Sequence, residues 1–208
     1  MRPNLHIPDG FLAPEVSIAL WVATAVVIGI ALRRIAVERT NAPARTVLMG
    51  IAGAFIFAAQ MFNFPVAAGT SGHLLGGVLA GVLLGPWAGS IVMATVIGIQ
   101  ALLFQDGGLL VLGANIFNMG VIGTLAGSLV ARGTSEVFGG GRRGQFVGVG
   151  FAAWLSVMAA AGFTTLQLGI SGTTDIGIGL PAMLGTHALI GVGEALITVG
   201  AIGFISAS

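Results

Sequence analysis

The sequence predicts an all-α membrane protein, a polytopic bundle of about seven transmembrane helices. Hydrophobic residues make up 56% of the chain and charged residues only 7%, and so few charges cannot cover the surface of a soluble domain. From Thr46 to Gln105 there is no Asp, Glu, Lys or Arg. As one helix this stretch would be about 90 Å long against a bilayer core of about 30 Å, so it must fold back into roughly three passes. We expect residues 1–208 to form a single integral membrane domain.

Apolar segments separated by glycine, proline and polar clusters give the order of the predicted helices. They cover roughly Val16–Leu32, Val47–Phe64, His73–Leu84, Trp87–Phe104, Leu109–Ala131, Phe146–Leu168 and Leu180–Ile205. Strands are not expected, because the segments are continuously apolar and show no period of two. Small residues allow membrane helices to approach closely. Suitable spacings are Gly77/Gly81/Gly85, Gly123/Gly127 and Gly144/Gly148.

The third segment is short for a membrane helix and follows an irregular run at residues 65–72. Irregular backbone is tolerated at membrane depth only where protein buries it or it lines a cavity. We therefore expect a loop that dips into the protein and leads into a short third helix. His73 would lie in the first turn of that helix, where the helix dipole favours the neutral imidazole.

The arginines predict the orientation of the bundle. Arg33, Arg34, Arg39 and Arg45 lie between the first two segments, and Arg132, Arg142 and Arg143 lie between the fifth and sixth. With seven spans both loops fall on one side, which the positive-inside rule makes cytoplasmic. The acidic residues Asp9, Glu15, Asp106 and Asp175 fall on the other side. We expect a multi-pass protein of a bacterial or archaeal plasma membrane, with its N-terminus outside and its C-terminus in the cytoplasm.

Two histidines predict a metal site on the outer side. His6 lies in the segment LHIPDG and His73 in GTSGHLLG, and the chain has only three histidines and no cysteine. Histidine is a common ligand of nickel, cobalt and copper, and thiolate sites are excluded without cysteine. The alternative is that His6 is an exposed loop residue and His73 a hydrogen-bonded residue at a helix cap.

Other polar residues lie within or beside apolar segments. Gln60 and Asn63 share a helix face, as do Asn115 and Asn118, whereas Gln100 stands alone. These side chains either tie loops around the site or join helices. Asp9 either holds the His6 ring or caps the first helix. Glu194 is a functional carboxylate by virtue of its depth in the membrane, or it is neutral and hydrogen-bonded and only packs.

Six motifs together resemble the CbiM/NikM family, the substrate-binding membrane components of energy-coupling factor transporters for cobalt and nickel. They are HIPDGFLAP (6–14), FAAQMFNFPV (57–66), GTSGHLLGG (69–77), LLGPWA (83–88), QALLFQDGGLLVLGANIFNMGVIG (100–123) and GTHALIGVGEALIT (185–198). The resemblance implies a transporter component, not an enzyme, that carries Ni²⁺ or Co²⁺ and has no resident cofactor. The HIPDG version looks more like the nickel branch.

The resemblance also implies partners. They are a transmembrane coupling subunit, ATP-binding cassette ATPases and a small accessory membrane subunit, with no nucleic acid. The chain has no lysine, so it cannot hydrolyse ATP through a P-loop of its own. Energy for uptake must therefore come from other subunits.

In the family the mature protein begins Met-His, and the resemblance implies four nitrogen ligands. These are the terminal amine, the amide nitrogen and ring nitrogen of the following histidine, and the histidine of the GTSGH motif. Carried over, residues 1–15 form the metal-binding N-terminal segment, with His6, His73 and the backbone amine of Leu5 as ligands. Candidate supporting residues are Ser71, Asp9 and the side-chain amides of Gln60, Asn63, Asn115 and Asn118.

Leu5 departs from the family pattern, because residues 1–4 precede it. We expect translation to start at position 5, at a leucine-type codon read as methionine, so that residues 1–4 are absent from the mature protein. If Met1 is the start, the chelate lacks its amine. Four nitrogens in a plane favour Ni(II) or Cu(II) over zinc, and binding must release protons.

Two other functions fit parts of the sequence. GTSG before a short helix, with His187 on a late helix, suggests an intramembrane serine protease with a Ser71–His187 dyad. This reading leaves His6, His73 and HIPDG unexplained. A passive divalent-metal channel would need a path through the bundle and no ATPase partners.

Overall fold

The fold is all-α, as predicted, in a computed structural model that describes residues 6–37, 42–61, 64–65 and 71–207. The helices are α1 Pro14–Val37, α2 Ala42–Met61, α3 Gly77–Leu84, α4 Pro86–Phe104, α5 Leu112–Val137, α6 Gly141–Ile170 and α7 Ile176–Ile205. Within the described ranges, 6 helices are long and apolar enough to cross a membrane, and α3 is the short helix between them. This is the predicted multi-pass bundle.

The segment before α3 differs from the prediction in two ways. Phe64–Pro65 and Ser71–Gly72 pair as short antiparallel strands, which the apolar pattern did not indicate. In addition, α3 begins at Gly77, so His73 precedes the helix and does not lie in its first turn. Gly76 has a φ of 77°, which ends any helical continuation toward His73. The argument that the helix dipole keeps His73 neutral is therefore wrong.

Contacts between the helix ends place both arginine-rich connections at one end of the bundle. The Arg34 guanidinium lies 5.9 Å from the centroid of the Trp87 ring, and Arg45 Nη2 donates to the Leu84 carbonyl at 3.4 Å. Arg132 lines a cavity with Val82, which also lies near the end of α3. We call this end of the bundle, marked by Arg34, Arg45 and Arg132, the arginine end.

The opposite end carries the N-terminal segment. The Thr173 hydroxyl, between α6 and α7, donates to the Phe11 carbonyl at 2.5 Å. His6 contacts Asp106, which lies between α4 and α5. We call this end, marked by His6, Asp106 and Thr173, the histidine end. The predicted separation of histidines from arginines is thus present in the fold.

Glycines allow α3 to pack directly against α5. A Cβ at Gly77 would lie 2.6 Å from the Met119 carbonyl oxygen and 2.8 Å from the Gly123 Cα. Real Cβ atoms do not approach backbone so closely, so these positions admit only glycine. Gly85 does not take part in the close packing predicted for it. A Cβ at Gly85 would meet nothing within 4 Å, and its φ of 82° ends α3.

The middle of α5 is wound as a π-helix over Ile116–Ala126, beside α3. Such segments are rare and occur often at functional sites. Asn118 and Met119 lie in this segment, and Asn115 immediately precedes it. The unusual winding therefore includes two side chains that line the cavity described below.

Because Gly77 has no room for a side chain, Gly77→Val should lower the free energy of unfolding by about 1–3 kcal/mol. Thermal unfolding in detergent measures this change. Gly98→Val is the matched control, since a Cβ at Gly98 meets nothing within 4 Å. Equal melting temperatures for the two variants would contradict the close α3–α5 packing.

Candidate metal site

The backbone around Ile7 is held against the connection between α4 and α5. The Ile7 amide donates to Asn115 Oδ1 at 3.1 Å, and Asn115 Nδ2 donates back to the Ile7 carbonyl at 3.1 Å. The Gly108 amide also donates to that carbonyl, at 2.9 Å. Both backbone polar atoms of Ile7, the residue after His6, thus have partners, as a buried backbone requires.

Asp9 has neither of the roles predicted for it. Its carboxylate accepts hydrogen bonds from the amides of Leu109 and Leu110, at 3.1 and 2.8 Å. It does not cap α1, which begins only at Pro14, and it binds these two amides and not the His6 ring. Asp9 instead ties the N-terminal segment to the α4–α5 connection at a second point, next to the contacts of Ile7.

The segment that carries His73 is held by side chains of α7 and α2. Glu194 Oε2 accepts from the Leu75 amide at 2.7 Å, and Oε1 accepts from the Gly76 amide at 2.8 Å. Gln60 Nε2 donates to the Leu75 carbonyl at 2.7 Å. Gln100 Nε2 in turn donates to Gln60 Oε1 at 2.8 Å.

These contacts decide between the alternatives for Glu194 and Gln60. Glu194 is 1% exposed and Gln60 is 0% exposed, so neither side chain can be satisfied by bulk water. Each unpaired buried polar group would cost about 1–3 kcal/mol. Glu194 does more than pack, because it binds the backbone of the His73 segment. Gln60 likewise ties that segment and does not merely join two helices.

The two predicted histidines lie against each other. The ring centroids of His6 and His73 are 5.6 Å apart with an interplanar angle of 87°, and the residues are 5% and 8% exposed. Nδ1 of His6 lies 3.1 Å from the Asp106 carbonyl oxygen, and Nδ1 of His73 lies 2.8 Å from that of Leu74. A carbonyl only accepts, so each Nδ1 carries the proton and each Nε2 has the lone pair.

The lone pair of His6 is buried and unpaired. Nε2 of His6 has no hydrogen-bond partner among the described residues. Unsatisfied buried groups of this kind are rare in proteins, and the binding of an ion is one of their ordinary explanations. The His6–His73 pair therefore has the geometry and the chemistry to receive a cation.

All 3 histidines of the chain line one cavity of about 290 Å³ at the histidine end. Asn115 and Asn118 line it too, but they have different partners. Asn118 exchanges hydrogen bonds with Gln167, at 2.8 and 2.7 Å, and so joins α5 to α6. Only Asn115 of this predicted pair holds the N-terminal segment.

Sequence reasoning missed two residues of this region. Asp106 places its carboxylate oxygen 3.7 Å from Nδ1 of His6, whereas the sequence analysis predicted only that Asp106 lies on the outer side of the membrane. His187 was assigned to a rival function, yet it lines the same cavity as His6 and His73. The QDGG motif before α5 was the available signal for Asp106, since it follows directly on an apolar span.

Part of the predicted site lies outside the described residues. Leu5 and Asn63 belong to that part, and of Ser71 only the backbone is described. Among the described residues, no three His, Cys, Asp or Glu side chains are placed to hold one ion. The side chains described therefore supply two histidines, and further ligands must come from elsewhere, such as the backbone or position 5.

A family profile with the description "Cobalt uptake substrate-specific transmembrane region" matches residues 6–208. The chain belongs to the CbiM family. The prediction made from the six sequence motifs is thereby confirmed. Membership makes the chain a membrane component of metal uptake, which supports the expectation that it is not an enzyme.

Relatives within this group include both nickel and cobalt proteins. A chain of Archaeoglobus fulgidus with the provisional name fused nickel transport protein NikMN is 39% identical over 208 residues, covering 98% of this chain and 66% of the relative. The fused nickel transport protein NikMN of Rhodobacter capsulatus is 32% identical, covering 98% and 62%. The cobalt transport protein CbiM 1 of Pelobacter propionicus is 34% identical, covering 94% and 88%.

The present chain thus spans just under two thirds of the length of the fused relatives. Its fold also matches a solved structure. A crystal structure of a truncated transition metal transporter has a TM-score of 0.82 and 30% identity, and the match covers 97% of this chain and 98% of that one.

Removing the Glu194 carboxylate should loosen the segment that carries His73. Two buried amides, of Leu75 and Gly76, would lose their acceptors, which at about 1–3 kcal/mol each predicts at least tenfold faster exchange. Hydrogen–deuterium exchange of the peptide around residues 73–77 in Glu194→Ala measures this. Glu136→Ala, at an exposed position on α5, is the control. Unchanged protection in Glu194→Ala would contradict the contact.

Proposed function

We propose that this chain is the substrate-binding membrane component of an energy-coupling factor importer and that it binds Ni²⁺ or Co²⁺ at the histidine end. The observation that carries the proposal is the contact between the buried rings of His6 and His73 in one cavity. Imidazole suits both ions, and a buried site with both segments fixed by hydrogen bonds is preorganised for them.

The proposed ligands are four nitrogens. His6 provides its amide and ring nitrogens, His73 provides a ring nitrogen, and the terminal amine of position 5 completes the square. An amine, an amide and an imidazole from adjacent residues form fused five- and six-membered rings, which suit a square-planar ion. The Ile7 amide donates to Asn115. This contact holds the chain next to His6 and leaves the amide nitrogen of His6 itself for the ion.

Metal binding then requires a small change at His6. The six-membered ring closes only through Nδ1, which lies at the Asp106 carbonyl in this structure. Turning the imidazole about Cβ–Cγ, with its proton moved from Nδ1 to Nε2, would direct the Nδ1 lone pair to the ion and bring Nε2–H toward Asp106. A carboxylate that accepts from the remote N–H of a ligating histidine is the usual support of such ligands, so Asp106 joins the proposed site.

Nickel is the better match of the two metals. The HIPDG motif resembles the nickel branch, and two of the fused relatives carry names that refer to nickel. Cobalt stays within the proposal, because a cobalt transport protein is 34% identical to this chain and Co(II) tolerates the same nitrogen ligands.

The energy source and the orientation are also part of the proposal. With no lysine in the chain, ATP must be hydrolysed by cassette ATPases, coupled through a transmembrane subunit and joined by a small accessory subunit. The arginine end would face the cytoplasm and the histidine end the outside, as the positive-inside rule requires. Metal uptake that persists without ATPase partners would favour a passive channel instead.

His73→Ala should abolish high-affinity nickel binding while the protein still folds, since one of four ligands is lost. Isothermal titration in detergent measures the affinity. Ser71→Ala is the matched control and should stay within a few-fold of wild type, because the proposal needs no more than a hydrogen bond from that hydroxyl. Near-normal affinity in His73→Ala would reject the site. A proteolytic activity that Ser71→Ala removes would support the Ser71–His187 protease.

The N-terminus provides an independent test. A chain beginning Met-His-Ile-Pro-Asp-Gly has a free amine next to the histidine, whereas one that keeps residues 1–4 has a peptide bond there. The chain with the free amine should bind nickel at least 10–100-fold more tightly. Loss of a group that only supports a ligand costs about that much affinity, and loss of a ligand should cost at least as much. Intact mass of each purified chain verifies its first residue. Equal affinities would show that the amine is not a ligand and that side chains alone must hold the ion.

A further inference from the structure

His187 is the one histidine for which the four-nitrogen site has no use, although it lines the same cavity as His6 and His73. It is half-buried on α7, and Met183, one turn earlier on that helix, also lines the cavity. A histidine that only packed would not need to share the single cavity that holds the other two. Its position therefore calls for a chemical explanation.

Hydrogen bonding leaves one ring nitrogen of His187 available. Nδ1 lies 2.8 Å from the Met183 carbonyl oxygen, and since that oxygen only accepts, Nδ1 must carry the proton. The neutral ring then has its lone pair on Nε2, for which no hydrogen-bond partner appears among the described residues. The backbone of α7 thus fixes the tautomer that can bind a cation, without help from any acidic side chain.

Along α7, His187 lies nearer the histidine end than Glu194, which holds the segment that carries His73. Asp175 caps α7 at the histidine end. His187 is about 17 Å along the axis from the start of this helix, and Glu194 is about 10 Å farther in. Glu194 holds Leu75 and Gly76, the residues just after His73. An ion that enters along α7 therefore reaches His187 before it reaches the level of the Glu194-held segment.

His187 shares the cavity with His6 and His73 but is not grouped with them around one point. No three metal-ligating side chains of the described residues are placed around one ion, so His187, His6 and His73 do not form a single ready site. The cavity of about 290 Å³ is nevertheless large for a bare ion and leaves room for one that still holds part of its hydration shell.

We propose that His187 is an entry ligand for the transported cation, a role that rests on the proposed nickel or cobalt uptake. The incoming hydrated ion loses one water as the Nε2 lone pair of His187 binds it. A nitrogen of His73 then forms its bond to the ion, and the bond to His187 breaks. No proton or electron is transferred in these exchanges, and the neutral His187 ring is restored.

Such a role has a kinetic signature. A ligand that binds only during passage stabilises the barrier and neither end state, so its loss slows association and dissociation by the same factor and leaves Kd unchanged. His187→Gln should lower both rates about tenfold or more, since a lost ligand should cost at least as much as a lost supporting group. Stopped-flow quenching of tryptophan fluorescence by NiCl₂ gives both rates, and isothermal titration gives Kd.

Two further variants separate coordination from packing. Met183→Leu keeps the shape of the neighbouring side chain and its carbonyl but removes a thioether that suits Ni(II) poorly, so it should show wild-type rates. His187→Asp supplies an oxygen ligand at the same position and should recover much of the rate lost in His187→Gln. If only packing or the bond to Met183 mattered, His187→Asp would be as impaired as His187→Gln.

The outcomes distinguish this inference from the proposed function. Wild-type rates in His187→Gln, or a weaker Kd caused by faster dissociation alone, would overturn the entry role, the second by making His187 part of the final site. Failure of the wild-type protein to bind nickel or cobalt at all would overturn the proposed function and the entry role together.

Discussion

The site depends on how non-helical backbone is satisfied inside an apolar bundle. Residues 73–76 precede α3 as non-helical backbone, and inside an apolar bundle at membrane depth their polar groups need partners from the protein. Glu194 and Gln60 supply the partners, with both oxygens of the carboxylate accepting amides and the glutamine donating to a carbonyl. Without these side chains the segment that carries His73 would have to become helical or leave the bundle.

The same principle holds the other half of the site. Asn115 satisfies both polar atoms of Ile7, and Asp9 accepts two amides of the α4–α5 connection. Each histidine therefore lies on a short irregular segment whose backbone is fixed by side chains from the helices around it. This arrangement explains why a bundle with few polar residues places them close to the two histidines.

Much of this could be predicted from the sequence, and the reasons for the exceptions are physical. The apolar segments, the short third helix and the grouping of His6 with His73 follow from hydropathy, arginine placement and motif. The start of α3 could not be read, because Gly76 breaks the helix through its backbone angle, a property that leaves no trace in hydrophobicity. Tertiary contacts alone decide that Asn115 binds the N-terminal segment while Asn118, three residues on, binds Gln167.

His187 and Asp9 show the same limit more sharply. The GTSG motif suggested a catalytic dyad for His187, and the position of Asp9 suggested a helix cap or a contact with the His6 ring. The fold instead puts His187 in the cavity that His6 and His73 line, and the Asp9 carboxylate on the backbone of the α4–α5 connection. The direction in which a side chain points depends on the rotation of its helix, which a nearly uniform apolar sequence does not specify.

The central claim is that His6 and His73 bind the same ion, and X-ray absorption spectroscopy of the nickel-loaded protein tests it most directly. The account predicts four nitrogen neighbours in a square-planar arrangement, with the multiple-scattering signal of two imidazoles that falls to one in His73→Ala. A six-coordinate, oxygen-rich environment, or an imidazole signal that is unchanged in His73→Ala, would contradict it.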